Sequence, residues 1–429
     1  MEIHVVKSGE TLESIAQQYG IAPSLIISVN ELPNPDNLVV GQSLAIRIPE
    51  TIHTVVQGDT ITTIAETYGV TTTEILQNNP RVAIMGTVVP GETIIISFRG
   101  DESIDTIIVN GYAYPFIDRA VLRKTLPYLT YLSIFTYGFT PEGELNPIDD
   151  EELIAIAYEF GVIPIMMLAP MTAEGVFSTD IASQLFANEE SVATLIENIV
   201  SNMKLKGYQG LDIDFEFIDP NDKEGFINFI NKVHTRLSQE GLLTFVALAP
   251  KTSGEMVGLL YQAHDYPRIG AIADQLLLMT YEWGYTYSPP MPTSPINSMR
   301  LVLNYGVSVI DSNKILMGVP NYAYDWPLPF ERGVTKAESL SNQEAIIRAA
   351  QYNVTILYDE EAQSPYYYYT DSVGIMHVVW FDDVRSMNAK MRLIPELGLD
   401  GAGVWQIMNF FPGLWNVVGA FFTVVKFGD

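Results

Sequence analysis

Three acidic residues at alternate positions, Asp212, Asp214 and Glu216, interleave with Leu211, Ile213 and Phe215 near the middle of the chain. In an extended strand successive side chains point to opposite faces, so this spacing puts three carboxylates on one face and three apolar groups on the other. Crowded carboxylates repel one another, and burying them unpaired is costly. The run could be the solvated face of an exposed strand, a divalent-cation site on Asp-x-Asp, or an acid cluster for proton transfer. Its flanks are not a polar hairpin, and it contains no turn glycine of the kind a calcium loop needs. Acid–base catalysis uses all three groups, because it needs carboxylates whose environments push their pKa values apart. Glu216, outermost on the strand, is then the proton donor, with Asp214 about 6 to 7 Å back along the strand and Asp212 deeper.

Such a strand needs a scaffold. After residue 106, short β-rich runs alternate with amphipathic helical segments: 107–110, 131–137, 163–168, 211–217, 243–249, 275–281, 315–319 and 403–408. Apolar strands alternating with helices call for a parallel sheet covered by helices, and eight repeats call for an α/β fold closed as a (β/α)8 TIM barrel, with a doubly wound open sheet as the alternative. Catalytic groups then sit at the C-terminal strand ends. Residues from about 325 to 380, with their run Tyr366 to Tyr369, read as a small α+β insertion after strand seven that walls a cleft, although the tyrosines suit a structural hairpin equally well. The apolar stretch from Phe410 to Val425 reads as a closing core helix, because Pro412, Gly413, Asn416 and Gly419 interrupt it and it is too short to span a bilayer.

The first hundred residues contain an internal repeat with an offset of 49. Ile3-His4 returns as Ile52-His53, Gly9-Glu10-Thr11-Leu12 as Gly58-Asp59-Thr60-Ile61, Tyr19-Gly20 as Tyr68-Gly69, and Asn30 as Asn79. Each unit reads strand, helix, helix, strand, with Gly20 as a helix stop, Thr71-x-x-Glu74 as a capping box and Pro23 in a first turn. The expected division is 1–49 and 50–98 for the two units, 99–106 for a linker and 107–429 for the barrel.

The 51 acidic against 23 basic residues give a net charge of −28, which argues against a nucleic-acid partner. No cysteine is present, so thiolate chemistry and disulfides are excluded. The five histidines form no ligand spacing, so neither a metal nor another cofactor is expected. Residues 1–7 have neither the basic nor the apolar region of a conventional signal peptide. No membrane association is expected, and the chain is expected to be a monomer.

The repeat units resemble the lysin motif (LysM), which implies binding to N-acetylglucosamine-containing glycans through Gly9, Glu10, Thr11 and Leu12, through Gly58, Asp59, Thr60 and Ile61, and through the loop before each closing strand. Two weak modules in tandem gain avidity on a polymer, although spacer or self-association roles also fit. The run from Gly210 to Glu216, with Met279-Thr280-Tyr281-Glu282 and Trp405, resembles the signature of glycoside hydrolase family 18. That resemblance implies that Glu216 is the acid/base and that Asp214 stabilises an oxazolinium ion formed by the substrate's own 2-acetamido group. Tyr281 would bond the acetamido carbonyl, Asp212 would share a proton with Asp214, and Trp405 would stack beneath the sugar. The family stands outside the two-carboxylate scheme for that reason.

Two residues depart from the family pattern: Gln209 replaces an aspartate before the glycine, and Glu282 replaces the aspartate beside Tyr281. Further candidates at strand ends are Trp283, Trp326, Tyr112 and Asn321, with core filling as the alternative for Tyr112 and Trp326; Trp380 and Trp415 are assigned to the core. The whole chain resembles spore cortex-lytic N-acetylglucosaminidases, which implies peptidoglycan as the substrate and the coat/cortex region of the spore as the location. A chitinase or chitooligosaccharide hydrolase, and a non-catalytic lectin or coat protein, are the alternatives.

Overall fold

The apolar runs form eight parallel strands that pair in sequence and close on themselves. The computed structural model describes residues 1–427. Strands β1 (Asp105–Ala113), β2 (Tyr131–Phe139), β3 (Ile163–Leu168), β4 (Gly210–Ile213), β5 (Leu243–Leu248), β6 (Gln275–Leu278), β7 (Ile315–Pro320) and β8 (Gly401–Trp405) each bond to the next. The β8–β1 pairing closes the (β/α)8 barrel, so the open-sheet alternative is excluded. Alternation sorts the side chains: Leu211, Ile213 and Phe215 are fully buried under the helices, whereas Tyr112, Phe135, Met167, Phe245 and Leu277 pack inside the barrel. Each fully buried apolar side chain of the first set contributes roughly 1.5 to 3 kcal/mol, which offsets the cost of the acids on the other face.

Several strand ends differ from expectation. Strand β4 stops at Ile213 rather than Phe217; Asp214 N–H still donates to Leu168 O at 2.9 Å, after which the chain leaves the sheet. Asp214 and Glu216 therefore rise from the barrel mouth in a loop. Strand β6 likewise ends before Tyr281, and β8 ends at Trp405. The closing helix is shorter than expected, spanning Pro412–Phe421, because Phe422–Val424 turns into a strand that pairs with the start of β1.

The insertion after β7 is a five-stranded antiparallel sheet with the helix Asn342–Gln351. Its tyrosine run lies on the strand Ser364–Thr370, with Tyr367 and Tyr369 buried and Tyr368 exposed, and none of the run lines the cleft, as a structural hairpin requires. Trp380, expected in the core, is only partly buried and stacks on Tyr366 at 4.4 Å, whereas Trp415 is buried as expected.

The first repeat unit has the expected order: Glu2–Val5, helices Leu12–Tyr19 and Pro23–Asn30, then Ser43–Ile46. The second adds a short helix, Pro80–Met85, to the expected strand, helix, helix, strand order. Gly20 and Gly69 take left-handed conformations at the helix ends, and Thr71 with Glu74 forms the capping box. The repeated asparagine acts as a strut. Asn30 holds both backbone groups of Ala45 (2.7 and 2.9 Å), and Asn79 does the same to Ile95 (2.9 and 2.7 Å).

Both units are bonded to the barrel. Asn416 on the closing helix donates to Val29 O at 2.7 Å, Gln77 donates to Pro127 O at 2.9 Å, and Tyr128 OH donates to Gln77 O at 2.7 Å. Arg47, almost fully buried, pairs with Asp101 and lies 4.0 Å over the Phe98 ring.

Candidate active site

Asp212 and Asp214 point into the barrel and are buried. Asp212 Oδ2 accepts from Tyr112 OH at 2.8 Å and from Ser133 Oγ at 3.2 Å, whereas its Oδ1 and the Oδ1 of Asp214 have no hydrogen-bond partner. Burial pushes the Asp212 carboxyl up to about 6, with the two hydroxyl donors pulling the other way. Asp214 is raised well above the ordinary carboxylate range by burial, then by the charges of Glu216 and Asp212. Glu216 is raised by burial and by Glu282. Three acids with separated environments can hold fewer than three charges at neutral pH, which is the condition for one of them to give up a proton.

Because folded Asp212 keeps its proton to higher pH than the unfolded chain, its ionisation removes stability as pH rises from 3.8 to about 6. A shift of that size corresponds to roughly 2 to 3 kcal/mol. Asp212→Asn keeps an acceptor for Tyr112 and carries no charge. It should raise Tm by a few degrees at pH 7 and leave it unchanged below pH 4; an equal difference at both pH values in thermal melts would contradict this account.

Two cavities, each of about 230 Å³, meet at the acids. The first is lined by Tyr112, Tyr114, Phe135, Asp214, Glu216, Tyr281, Glu282 and Trp405. The Trp405 ring is braced by Phe135 at 5.0 Å and by Tyr112 at 5.9 Å, so a fixed flat apolar surface lines the same cavity as the carboxylates. The second is more apolar, with Pro250, Met256, Leu260, Tyr261 and Trp283. Glu216, Met279, Tyr281 and Glu282 border both. Glu282 takes a positive φ of 66° and accepts from Tyr322 OH at 2.7 Å and Tyr324 OH at 3.2 Å.

The strand-end candidates divide. Tyr112, Tyr281, Glu282, Trp283 and Trp405 border a cavity, but Asn321 and Trp326 do not. Asn321 is buried with its amide already engaged: Nδ2 donates to Gln406 O at 2.9 Å and to Asn409 O at 2.8 Å. Trp326 is fully buried in the insertion, and its indole N–H donates to Ser288 O at 2.9 Å. In the repeat units Gly9, Thr11, Gly58 and Thr60 are exposed, but Leu12 is buried in its unit's own core. Glu10 is held by His4 at 2.9 Å and Asp59 by His53 at 2.8 Å, so these histidines brace loops.

Sequence reasoning missed His264, fully buried behind β4. Its Nδ1 accepts from Ala249 N–H at 2.9 Å, which leaves Nε2–H to donate to Phe215 O at 3.1 Å. Burial pulls its pKa down to about 4, so it stays neutral and fixes the peptide just before Glu216, where the strand ladder no longer does. No spacing in the sequence marks it. Tyr322 and Tyr324 were missed too, although their alternation directly after β7 is a signal that strand-end reasoning could have used. Among the described residues no group of three or more histidine and acidic side chains is arranged to hold a metal ion, and no helix is long and apolar enough to cross a membrane.

Residues 177–409 match the family described as glycosyl hydrolases family 18, and residues 4–47 and 53–97 match the LysM domain. The cortical fragment-lytic enzyme of Bacillus subtilis (strain 168) is 39% identical over 99% of both chains, and that of Bacillus anthracis is 34% identical over 100% of both. Among solved structures, the spore cortex-lytic enzyme SleL of Bacillus megaterium QM B1551 superposes with a TM-score of 0.83 at 40% identity, covering 99% of this chain and 98% of that one. SleL of Bacillus cereus gives a TM-score of 0.84 at 32% identity, covering 100% and 99%.

Proposed function

The chain belongs to glycosyl hydrolases family 18, and from that premise we propose that it cleaves the β-1,4 bond after N-acetylglucosamine in spore cortex peptidoglycan by a retaining, substrate-assisted mechanism. The observation that carries the reading is the unpartnered, buried Asp214 Oδ1 beside Glu216, where the two cavities meet. A buried carboxylate oxygen without a donor is costly unless the substrate supplies one. The N–H of a 2-acetamido group is such a donor.

The N-acetylglucosamine ring lies on Trp405 in the first cavity, and the leaving sugar occupies the second. Tyr281 O–H donates to the acetamido carbonyl oxygen and holds it under the anomeric carbon. That oxygen attacks the anomeric carbon while Glu216 gives its proton to the glycosidic oxygen, and the bond between them breaks. The positive oxazolinium ion is balanced by Asp214, in a site where little water weakens the attraction. Glu216, now ionised, takes a proton from water, which opens the oxazolinium from the face the leaving group left. Asp212, tied to Tyr112 and Ser133, sets the charge that Asp214 can carry. No hydrogen bond links Asp212 to Asp214, so proton sharing between them passes through a side-chain shift or the bound substrate.

The relatives' names place them in the degradation of spore cortex, and their full-length similarity supports the same place for this chain. We assign residues 1–98 to a LysM region of two units, 1–49 and 50–98, that ties the chain to glycan, 99–104 to a linker and 105–429 to hydrolysis, since Asp105 and Thr106 already belong to β1. A thiazoline analogue of the oxazolinium, in which sulfur replaces the acetamido oxygen, should inhibit competitively against cortex fragments, with a Ki at least 100-fold below the KM of a matched substrate. Indifference to the analogue would overturn substrate assistance while leaving hydrolysis itself intact.

A further inference from the structure

The two LysM units share one turn geometry but not one environment. In each, the closing-loop glycine has a positive φ, 87° at Gly41 and 89° at Gly91, and donates its N–H at 2.8 Å to the residue just after the first strand, Val6 O or Val55 O. Gln42 Oε1 accepts from Val39 N–H at 3.1 Å as Glu92 Oε2 accepts from Val89 N–H at 3.2 Å, so Val39 and Val89 are counterparts.

Their surroundings are opposite. Val39 is 5% exposed and packs in the apolar core of the insertion with Ile356, Tyr367 and Phe381, whereas Val89 is 52% exposed. Ile356 N–H donates to Val40 O at 2.9 Å, and Arg385 donates to Gly41 O at 3.1 Å. A Cβ on Gly41 would meet the Ile356 carbonyl oxygen at 1.9 Å; at Gly91 nothing lies within 4 Å. The opposing loops differ as well. Val56, 58% exposed, opens the second unit's first loop, where the first unit has Lys7. Ile52 and Met85 of the second unit are likewise exposed.

We propose that the second unit alone anchors the enzyme on an insoluble β-1,4-linked N-acetylated glycan, gripping a sugar's apolar face between Val56 and Val89, and that the first unit is a fixed bracket between barrel and insertion. This rests on the glycan-binding reading of the LysM units. On the LysM reading the glycan touches both loops of a unit, and the first unit has its closing loop covered by the insertion. The loops that carry exposed Val56 and Val89 are tied together through Glu92, whose carbonyl accepts from Val55 N–H at 2.8 Å and whose carboxylate accepts from Val89 N–H, and paired exposed apolar side chains there mark a contact surface. The avidity expected of paired modules then arises between the second unit and the catalytic cleft, which grip one polymer at two points.

The test is co-sedimentation of the full-length chain, carrying Glu216→Gln to stop hydrolysis, with insoluble peptidoglycan and saturating thiazoline to fill the cleft. Val56→Glu with Val89→Glu, and Lys7→Glu alone, each change the charge by −2, and circular dichroism checks folding. The paired second-unit change should weaken retention at least tenfold, with Lys7→Glu within twofold of the parent. Equal losses from both, or loss through Lys7 only, would overturn the assignment but not glycan anchoring. If the paired change dissolves a dimer and leaves pelleting intact, the patch is a self-contact and the proposal fails. A parent that does not pellet overturns the anchoring reading and the assignment with it.

Discussion

Glu216→Gln is expected to lower kcat on cortex fragments by about 10² to 10⁴-fold with KM within a few-fold, the range set by losing a positioned proton donor. The amide matches the carboxyl in size, so the cavities keep their shape. It also removes the charge that helps raise Asp214 and the group that Glu282 helps raise, so Tm should be equal to or above that of the parent. The loss should shrink on aryl glycosides, whose leaving oxygen departs without a proton. Activity within tenfold of the parent on the natural bond would remove Glu216 from the role of acid.

Asp214→Asn should cost about 10² to 10³-fold in kcat through a different route, since an uncharged amide cannot balance a positive oxazolinium. The distinguishing measurement is the leaving group. A residue that stabilises the ion matters whether or not the departing oxygen needs a proton, so the loss should persist on aryl glycosides. It should also weaken thiazoline binding, which Glu216→Gln leaves nearly unchanged. If an aryl leaving group restores the Asp214→Asn enzyme as much as the Glu216→Gln enzyme, Asp214 is acting on the proton and not on the ion.

Much of this site was legible because period-two alternation around Asp212 is strong: one face had to be core, and Leu211, Ile213 and Phe215 are buried. What alternation does not reveal is where pairing stops. Strand β4 ends at Ile213 although its neighbour β5 runs on to Leu248, so the two outer acids sit in a loop that His264, far away in sequence, holds in place. Asn321 and Trp326 misled for a related reason. Being next to a strand end does not say which way a side chain turns, and both turn to backbone carbonyls, Asn321 to those of Gln406 and Asn409 and Trp326 to that of Ser288. The repeat was visible from its spacing alone, yet its two copies meet different neighbours, and spacing is blind to neighbours.

The strut between Asn416 and Val29 joins one of the last helices to one of the first. On a ribosome, residue 29 appears hundreds of residues before residue 416. The opening unit can therefore fold early and wait as a ready-made seat, against which the helix Pro412–Phe421 settles when the barrel finally shuts. A truncation that removes the seat changes how the barrel finishes folding as well as what the enzyme can hold, so loss of activity in such a chain is not evidence of lost glycan binding.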